Sequence, residues 1–429
     1  MFFNNLKETK KTRKGGSMDR KDLIDFLKKR REIPVNDLDR EMIERSLSVD
    51  LALTELAENG GTCEEACELL GVPKIDSVML VHPRNEEDMF NRYPFMRKIS
   101  RRGTREIQEA HWIATLDIAT YGDCYIPIVC LPLTPEYFIP DLHDREGWKH
   151  RQEILREKEK NALDLVNLFC KDGDLPLILG ALTGRIGRQL RKGGFRGPLV
   201  TGTHITPPLI VGMIEKIATI SSIPSQNFKI AIVGAAGSMG KTILSWLIAE
   251  GFSENLTLIE ATKTQTDAIK RFFPLLRHKQ ITEDITRVKE QDIVIVATAA
   301  PHVLIDEEML SPGTIILDDT HPANVARNIE RKDTLVLRVM AEVPGIDYIF
   351  PMDQINKTDT VTCLAEGCIL AKNDAGIRQK HLGLLGKNDL ALMLALSDLS
   401  ERLGIGFPTF RDYRGFVSDQ EVIDVISLR

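Results

Sequence analysis

Ile230-Ala231-Ile232-Val233-Gly234-Ala235-Ala236-Gly237-Ser238-Met239-Gly240 is the stretch that decides the fold. An apolar run of mostly β-branched residues stops at a glycine. Two further glycines follow at spacing three, and an amphipathic pattern begins at Lys241 (Lys241-Thr242-Ile243-Leu244-Ser245-Trp246-Leu247-Ile248). Strand, glycine turn and helix in this order open a dinucleotide-binding βαβ unit: the first glycine turns the strand, the second lets backbone N–H groups approach a pyrophosphate, and the third lets the helix pack close. The helix N-terminus then offers free N–H groups and a positive dipole end to the phosphates. A second apolar run, Leu256-Thr257-Leu258-Ile259, ends in Glu260, where a carboxylate meets the adenosine ribose 2′-OH. The cofactor-binding set read from this pattern is Gly234, Ala235, Gly237, Ser238, Met239, Gly240 and Glu260.

Strands and helices continue to alternate downstream. A helix is expected over 264–273, with strands at 292–297, 314–318 and 334–339. This predicts a doubly wound parallel sheet of the Rossmann type, with its ligand at the carboxyl ends of the strands. Those ends are Gly234, Glu260, Thr298-Ala299-Ala300-Pro301 and Asp318-Asp319-Thr320-His321-Pro322, so Thr298 and Ala299 join the cofactor set.

Upstream, helices are expected over 19–71 and strands at 78–83, 112–118 and 125–131, the last two joined by a turn at Gly122-Asp123. A long amphipathic helix follows at 151–170. Residues 176–198 are glycine-punctuated and basic, and Thr206-Pro207 reads as the cap and first turn of a buried helix. The basic stretch reads as a solvated face or as a landing site for an acidic partner. Four parts result: a helical extension at 1–75, an α+β substrate domain at 76–225, a dinucleotide-binding domain at 226–350 and C-terminal helices at 351–429.

At 429 residues, with 43% hydrophobic and 28% charged content, the chain reads as globular. The net charge of −6 argues against a general nucleic-acid or anionic-membrane binder. No apolar run reaches the length of a membrane span. Seven scattered cysteines and no apolar leader read as reduced thiols in a cytoplasmic protein. Cys63 and Cys67 lie on one helix face as packed thiols. No third ligand follows at metal spacing, so no metal is expected.

Thr358 to Leu370 reads as a buried helix, small and apolar all round, with Asp359 or Thr360 as its cap. Cys363 then lies in the first turn, where the helix dipole favours a thiolate. From the residues alone it is either a nucleophile or a packed core thiol. Glu366, one turn on, holds a proton or bonds locally.

These segments carry a family resemblance. The chain resembles the long-chain acyl-[acyl carrier protein] reductases known from cyanobacteria, which turn fatty acyl thioesters into aldehydes. Thr201-Gly202 is similar to that family's TTGN-x-H-T segment, with Ile205 at the histidine position and His204 one place before it. Gly234 to Gly240 is similar to its GATGDIG loop. Asp318 to Asn324 resembles its DGGYPKN turn, and Thr362-Cys363-Leu364-Ala365-Glu366-Gly367 its ACFAEA segment. The resemblance implies that Cys363 accepts the acyl group from an acyl carrier protein or coenzyme A thioester and that NADH or NADPH reduces it. His204 and His321 are the candidate acids for the oxyanion. The family tends to use NADPH, whereas Glu260 favours NADH and Lys263 partly offsets it. The rival readings are an oxidoreductase of the glutamyl-tRNA reductase or shikimate dehydrogenase type and a non-catalytic dinucleotide-binding redox sensor. A glutamyl-tRNA reductase would place its nucleophile at Cys124 or Cys130, and a shikimate dehydrogenase-like enzyme would need no cysteine. Oligomeric state stays open, a homo-oligomer included.

Overall fold

The computed structural model describes residues 49–88, 114–139, 144–170, 175–276, 280–300, 302–320, 323–326, 329–348, 358–372, 375–380, 390–407 and 409–429. His321 and the expected helices before residue 49 lie outside the described residues.

Two six-stranded sheets form among the described residues. The first is built from β1 (Val78–Val81), β2 (Ala114–Tyr121), β3 (Cys124–Cys130), β4 (Leu177–Leu179) and β5 (Leu199–Val200). β1 lies between β3 and β4, parallel to both, and β4 pairs in parallel with β5. β2 is an antiparallel hairpin partner of β3. The second sheet comprises β6 (Ile230–Val233), β7 (Leu256–Ile259), β8 (Ile281–Thr282), β9 (Ile293–Val296), β10 (Ile315–Asp318) and β11 (Leu335–Arg338). Its order is β11-β10-β9-β6-β7-β8, parallel throughout. The topological switch falls between β6 and β9, as in a doubly wound nucleotide-binding sheet.

The expected α/β architecture holds, and the first sheet is more parallel than the sequence indicated. The basic stretch at 176–198 hides β4 and leads into β5, each fully buried. Both are too short to show alternation, and a strand covered on both faces has none to show.

After β11 the chain leaves the second sheet and returns to the first. β12 (Ala341–Glu342) pairs with β14 (Asp359–Thr360), and β13 (Ile346–Asp347) extends the free edge of β2. Asp359 and Thr360 are therefore strand residues rather than caps. The carboxylate of Asp359 is held by Arg411 at 2.7 Å, both side chains buried. A helix from Thr362 to Lys372 then packs on the first sheet, in one core with Met79, Ile128, Ile178 and Val200. Gly367 permits this contact, because a Cβ there would overlap the Ile178 side chain.

A buried helix, Thr206–Ser221, bridges to the second sheet, and its apolar residues pack with Ile230, Ile243 and Leu247. Ile205, not Thr206, is the residue at its cap. The Thr206 hydroxyl instead donates to Thr362 Oγ1 at 2.8 Å, because the start of the Thr362–Lys372 helix abuts it. The C-terminal helix, Asp419–Ile426, closes the second core with Val422, Val425 and Ile426. Among the described residues, no helix is long and apolar enough to cross a membrane.

Candidate active site

The carboxyl ends of both sheets border one cleft of about 1230 Å³. The second sheet contributes the glycine loop. Gly234 has φ +90°, and a Cβ there would stand 2.7 Å from Ala297 O and 2.9 Å from Thr298 Cβ. Only a glycine holds β6 that close to the end of β9. Gly237 takes the cap position of the helix Ser238–Ala249, and no side chain caps it, which leaves its first N–H groups for an anion. Gly240 packs the helix onto the turn, with room for no Cβ, since one would overlap Gly234 O.

Gly234, Gly237, Ser238, Met239, Glu260, Thr298 and Ala299 line the cleft, whereas Ala235 is fully buried beneath it. The Glu260 carboxylate accepts the Ala236 amide. Burial raises its pKa, opposed by that amide and by Lys241. A loop of bare amides at a helix start, with a carboxylate at the end of the next strand, fits a dinucleotide: amides for the pyrophosphate and Glu260 for a ribose hydroxyl.

The first sheet contributes the other wall. Val81 ends β1 and His82 follows it, Gly180 to Leu182 follow β4, and Thr201 and Thr203 follow β5. The His82 ring stacks on Phe138 at 4.5 Å, with Nδ1 2.7 Å from Pro83 O and Nε2 accepting the Leu182 amide at 3.1 Å. Burial lowers its pKa to about 4, so it stays neutral and builds the wall. Arg84 and Asp88 border the cleft as a closed pair, joined at 2.7 Å through Nε and again through Nη2.

Cys363 lines this same cleft from the first turn of its buried helix. Gly202, at φ +78°, passes directly over it, and a Cβ at Gly202 would lie 2.9 Å from the Cys363 amide nitrogen. Burial pushes the Cys363 thiol up to about 12, reinforced by Asp319 and opposed by the Leu364 amide, with Glu366 adding to the rise. The resting residue is therefore a neutral thiol, and the sequence expectation of a dipole-favoured thiolate is corrected: burial outweighs the helix terminus.

His204 is 2% exposed and does not border the cleft; its neighbour Thr203 does. Its Nδ1 lies 3.0 Å from Glu366 Oε1, and its backbone amide donates to Glu366 Oε2 at 3.2 Å. Glu366 thus bonds across the molecule rather than locally. Sequence reasoning missed Asp319, which borders the same cleft as Cys363, although the double aspartate at a strand end was visible. Among the described residues no group of three or more His, Cys, Asp or Glu is placed to hold a metal.

Residues 216–343 match the family model described as shikimate / quinate 5-dehydrogenase. A glutamyl-tRNA reductase from Thermosipho melanesiensis is 25% identical over 130 residues, 30% of this chain and 34% of that protein. The chain thus spans about a third of the curated relative it matches. Among solved structures, shikimate 5-dehydrogenase from Thermus thermophilus, in complex with NADP(H) and shikimate, is 16% identical. The likeness covers 48% of this chain and 63% of that one, at a TM-score of 0.25. An NAD-dependent malic enzyme from Thermotoga maritima is 13% identical over 92% of this chain and 93% of its own, at 0.39. Scores at this level say nothing of substrate.

The matched segment is a nicotinamide-dinucleotide-binding domain of the dehydrogenase and reductase type. The family match stops short of both Thr201–Thr206 and Cys363.

Proposed function

We propose that this protein is an NADH- or NADPH-dependent reductase that takes a fatty acyl group from a thioester onto Cys363 and releases it as an aldehyde. One observation carries the reading: Cys363 borders the same cleft as the dinucleotide loop, at the first turn of a buried helix.

Cys363 Sγ attacks the thioester carbonyl, its bond to the acyl carbon forms, and the carrier thiol leaves. The amides of Cys363 and Leu364 favour charge on that sulfur. The bound reduced nicotinamide supplies the hydride. The Arg84–Asp88 pair and the neutral His82 belong to the wall that the first sheet builds. Glu260, free of any arginine bonded to it among the described residues, favours NADH over NADPH, because a 2′-phosphate would meet its carboxylate. His204, held by Glu366, positions the Thr203 wall, and His321 remains a candidate acid on the strength of the family resemblance. The carrier is an acyl carrier protein or coenzyme A. Exposed Lys192 and Arg196 at the end of the basic stretch suit the acidic surface of a carrier protein.

A second reading, an oxidoreductase of the glutamyl-tRNA reductase or shikimate dehydrogenase type, has the segment matches in its favour. For the glutamyl-tRNA reductase type the expected nucleophile is Cys124 or Cys130, whereas the shikimate dehydrogenase type needs no cysteine. Both of those cysteines are buried in β3, and neither is among the residues bordering the cleft. The net charge of −6 also suits a tRNA poorly.

Nicotinamide absorbance and aldehyde trapping separate these readings, with hexadecanoyl-coenzyme A or glutamyl-tRNA offered with the reduced nucleotide and shikimate with the oxidised one. The proposal expects aldehyde from the thioester, abolished in Cys363→Ala. Turnover of shikimate or glutamyl-tRNA that survives Cys363→Ala would establish the second reading. Nucleotide binding with no turnover at all would point to a sensor.

A further inference from the structure

Three carboxyls border the cleft, and two are already engaged. Asp88 is taken by Arg84. Glu260 accepts the Ala236 amide. The third, Asp319, makes no side-chain hydrogen bond or ion pair with any described residue. Its backbone is fixed by its own amide, which donates to Val296 O at 3.1 Å across the ends of β9 and β10.

Its neighbour is organised differently. Asp318 Oδ1 accepts the Thr320 amide at 3.1 Å and the Thr320 hydroxyl at 2.5 Å, while Oδ2 accepts the Tyr413 hydroxyl. Arg338 lies over the Tyr413 ring at 5.2 Å. These donors engage both side-chain oxygens of Asp318.

We propose that Asp319 is a catalytic proton shuttle for Cys363, an assignment that rests on the thioester-reductase reading. In acyl transfer the Cys363 S–H proton passes to one carboxyl oxygen of Asp319 while the other oxygen gives its proton to the departing carrier sulfur. The bond from Sγ to the acyl carbon forms, the bond from that carbon to the carrier sulfur breaks, and no net proton is consumed. In the reductive half the acyl carbon receives the hydride, its bond to Sγ breaks, and Sγ takes the Asp319 proton. Water reprotonates Asp319, so each aldehyde consumes one proton.

Two further facts fit. Burial, reinforced by the Asp318 charge, raises the Asp319 pKa well above the usual carboxylate range, so the shuttle starts with a proton to give. Burial also makes a free thiolate at Cys363 costly, so the proton must move together with sulfur. The ionisable groups facing this pair are Asp318, Glu366 and, through Asp318, Tyr413.

The test is the rate of acylation by hexadecanoyl-coenzyme A without nucleotide, followed by intact mass in wild type, Asp319→Asn and Asp319→Ala. NADH binding and the melting temperature serve as folding controls. The expected result is a slowing of about 10²–10⁴-fold in Asp319→Asn with NADH binding retained. Added formate should restore part of the rate in Asp319→Ala, because it fits the vacated space and carries a proton. Acylation of Asp319→Asn at the wild-type rate would overturn the shuttle while leaving the reductase reading intact. So would a slow Asp319→Ala that formate does not rescue. No adduct on the wild type would overturn the reductase reading and the shuttle with it.

Discussion

At the scale of the residue, Cys363 is held by what lies over it. Gly202 at φ +78° would place a Cβ 2.8 Å from Thr362 Oγ1 and 2.9 Å from the Cys363 amide nitrogen. Gly202→Ala should therefore displace the first turn of the helix and add positive-φ strain, at a cost of roughly 1–3 kcal/mol. Chemical denaturation would measure the cost. Acylation of Cys363 should fall more steeply than stability does, and a variant with wild-type acylation would show that the turn has slack. The thiol itself makes a second prediction. Its pKa stands at about 12 in the fold against 9.0 for an ordinary cysteine. Below pH 9 the thiol is neutral in both folded and unfolded chains and has no effect on the pH dependence of stability. Above it the unfolded chain ionises first, so the fold loses stability as pH rises through the window from 9 to about 12. Cys363→Ala should flatten that loss in part, leaving the share of Cys170 and Cys368, which burial raises as well.

At the scale of the element, the helix Thr362–Lys372 is placed by strands rather than by its own sequence. The strand Asp359–Thr360 leads into it, and the buried Asp359 carboxylate is tied to Arg411 at 2.7 Å. Removing one partner of such a pair leaves a buried charge without its counter-ion. Arg411→Met should cost about 3–5 kcal/mol in denaturant unfolding. A cost near zero would mean that Asp359 is neutral in the fold. This element also marks what the sequence disclosed. The helix and the position of Cys363 in its first turn were legible, because small apolar residues in a run with no polar face mean burial. The role of Asp359 was not legible, because its partner lies 52 residues away. The same limit applies to Glu366, whose partner His204 is 162 residues distant. In the second sheet the strands were legible, since each βα repeat carries its own punctuation. In the first sheet β4 and β5 were hidden, with three and two residues respectively and no alternation. Asp319 was visible as part of a strand-end pair, but that it borders the same cleft as Cys363 emerges only once two sheets meet.

At the scale of the whole molecule, the chain passes from the first sheet to the second and back again. The cleft lies where the carboxyl ends of both sheets meet, and the segment that supplies Cys363 returns after the dinucleotide unit is complete. Dinucleotide binding should therefore stabilise the chain. At about 100-fold excess over Kd, NADH should add about 2.7 kcal/mol and raise the melting temperature accordingly. Gly240→Ala should remove that rise, since a Cβ there would press on Gly234 O. A rise that persisted in this variant would place the nucleotide elsewhere.

The measurement that bears most directly on the account is the location of the acyl group. The protein is incubated with hexadecanoyl-coenzyme A without nucleotide, digested with trypsin and sequenced by tandem mass spectrometry. The account predicts one hexadecanoyl group on the peptide Thr358–Lys372, carried by Cys363 and not Cys368, and its discharge as hexadecanal once NADH is added. An acyl group on Cys124, Cys130 or Cys368, or no adduct while the nucleotide binds normally, would contradict it.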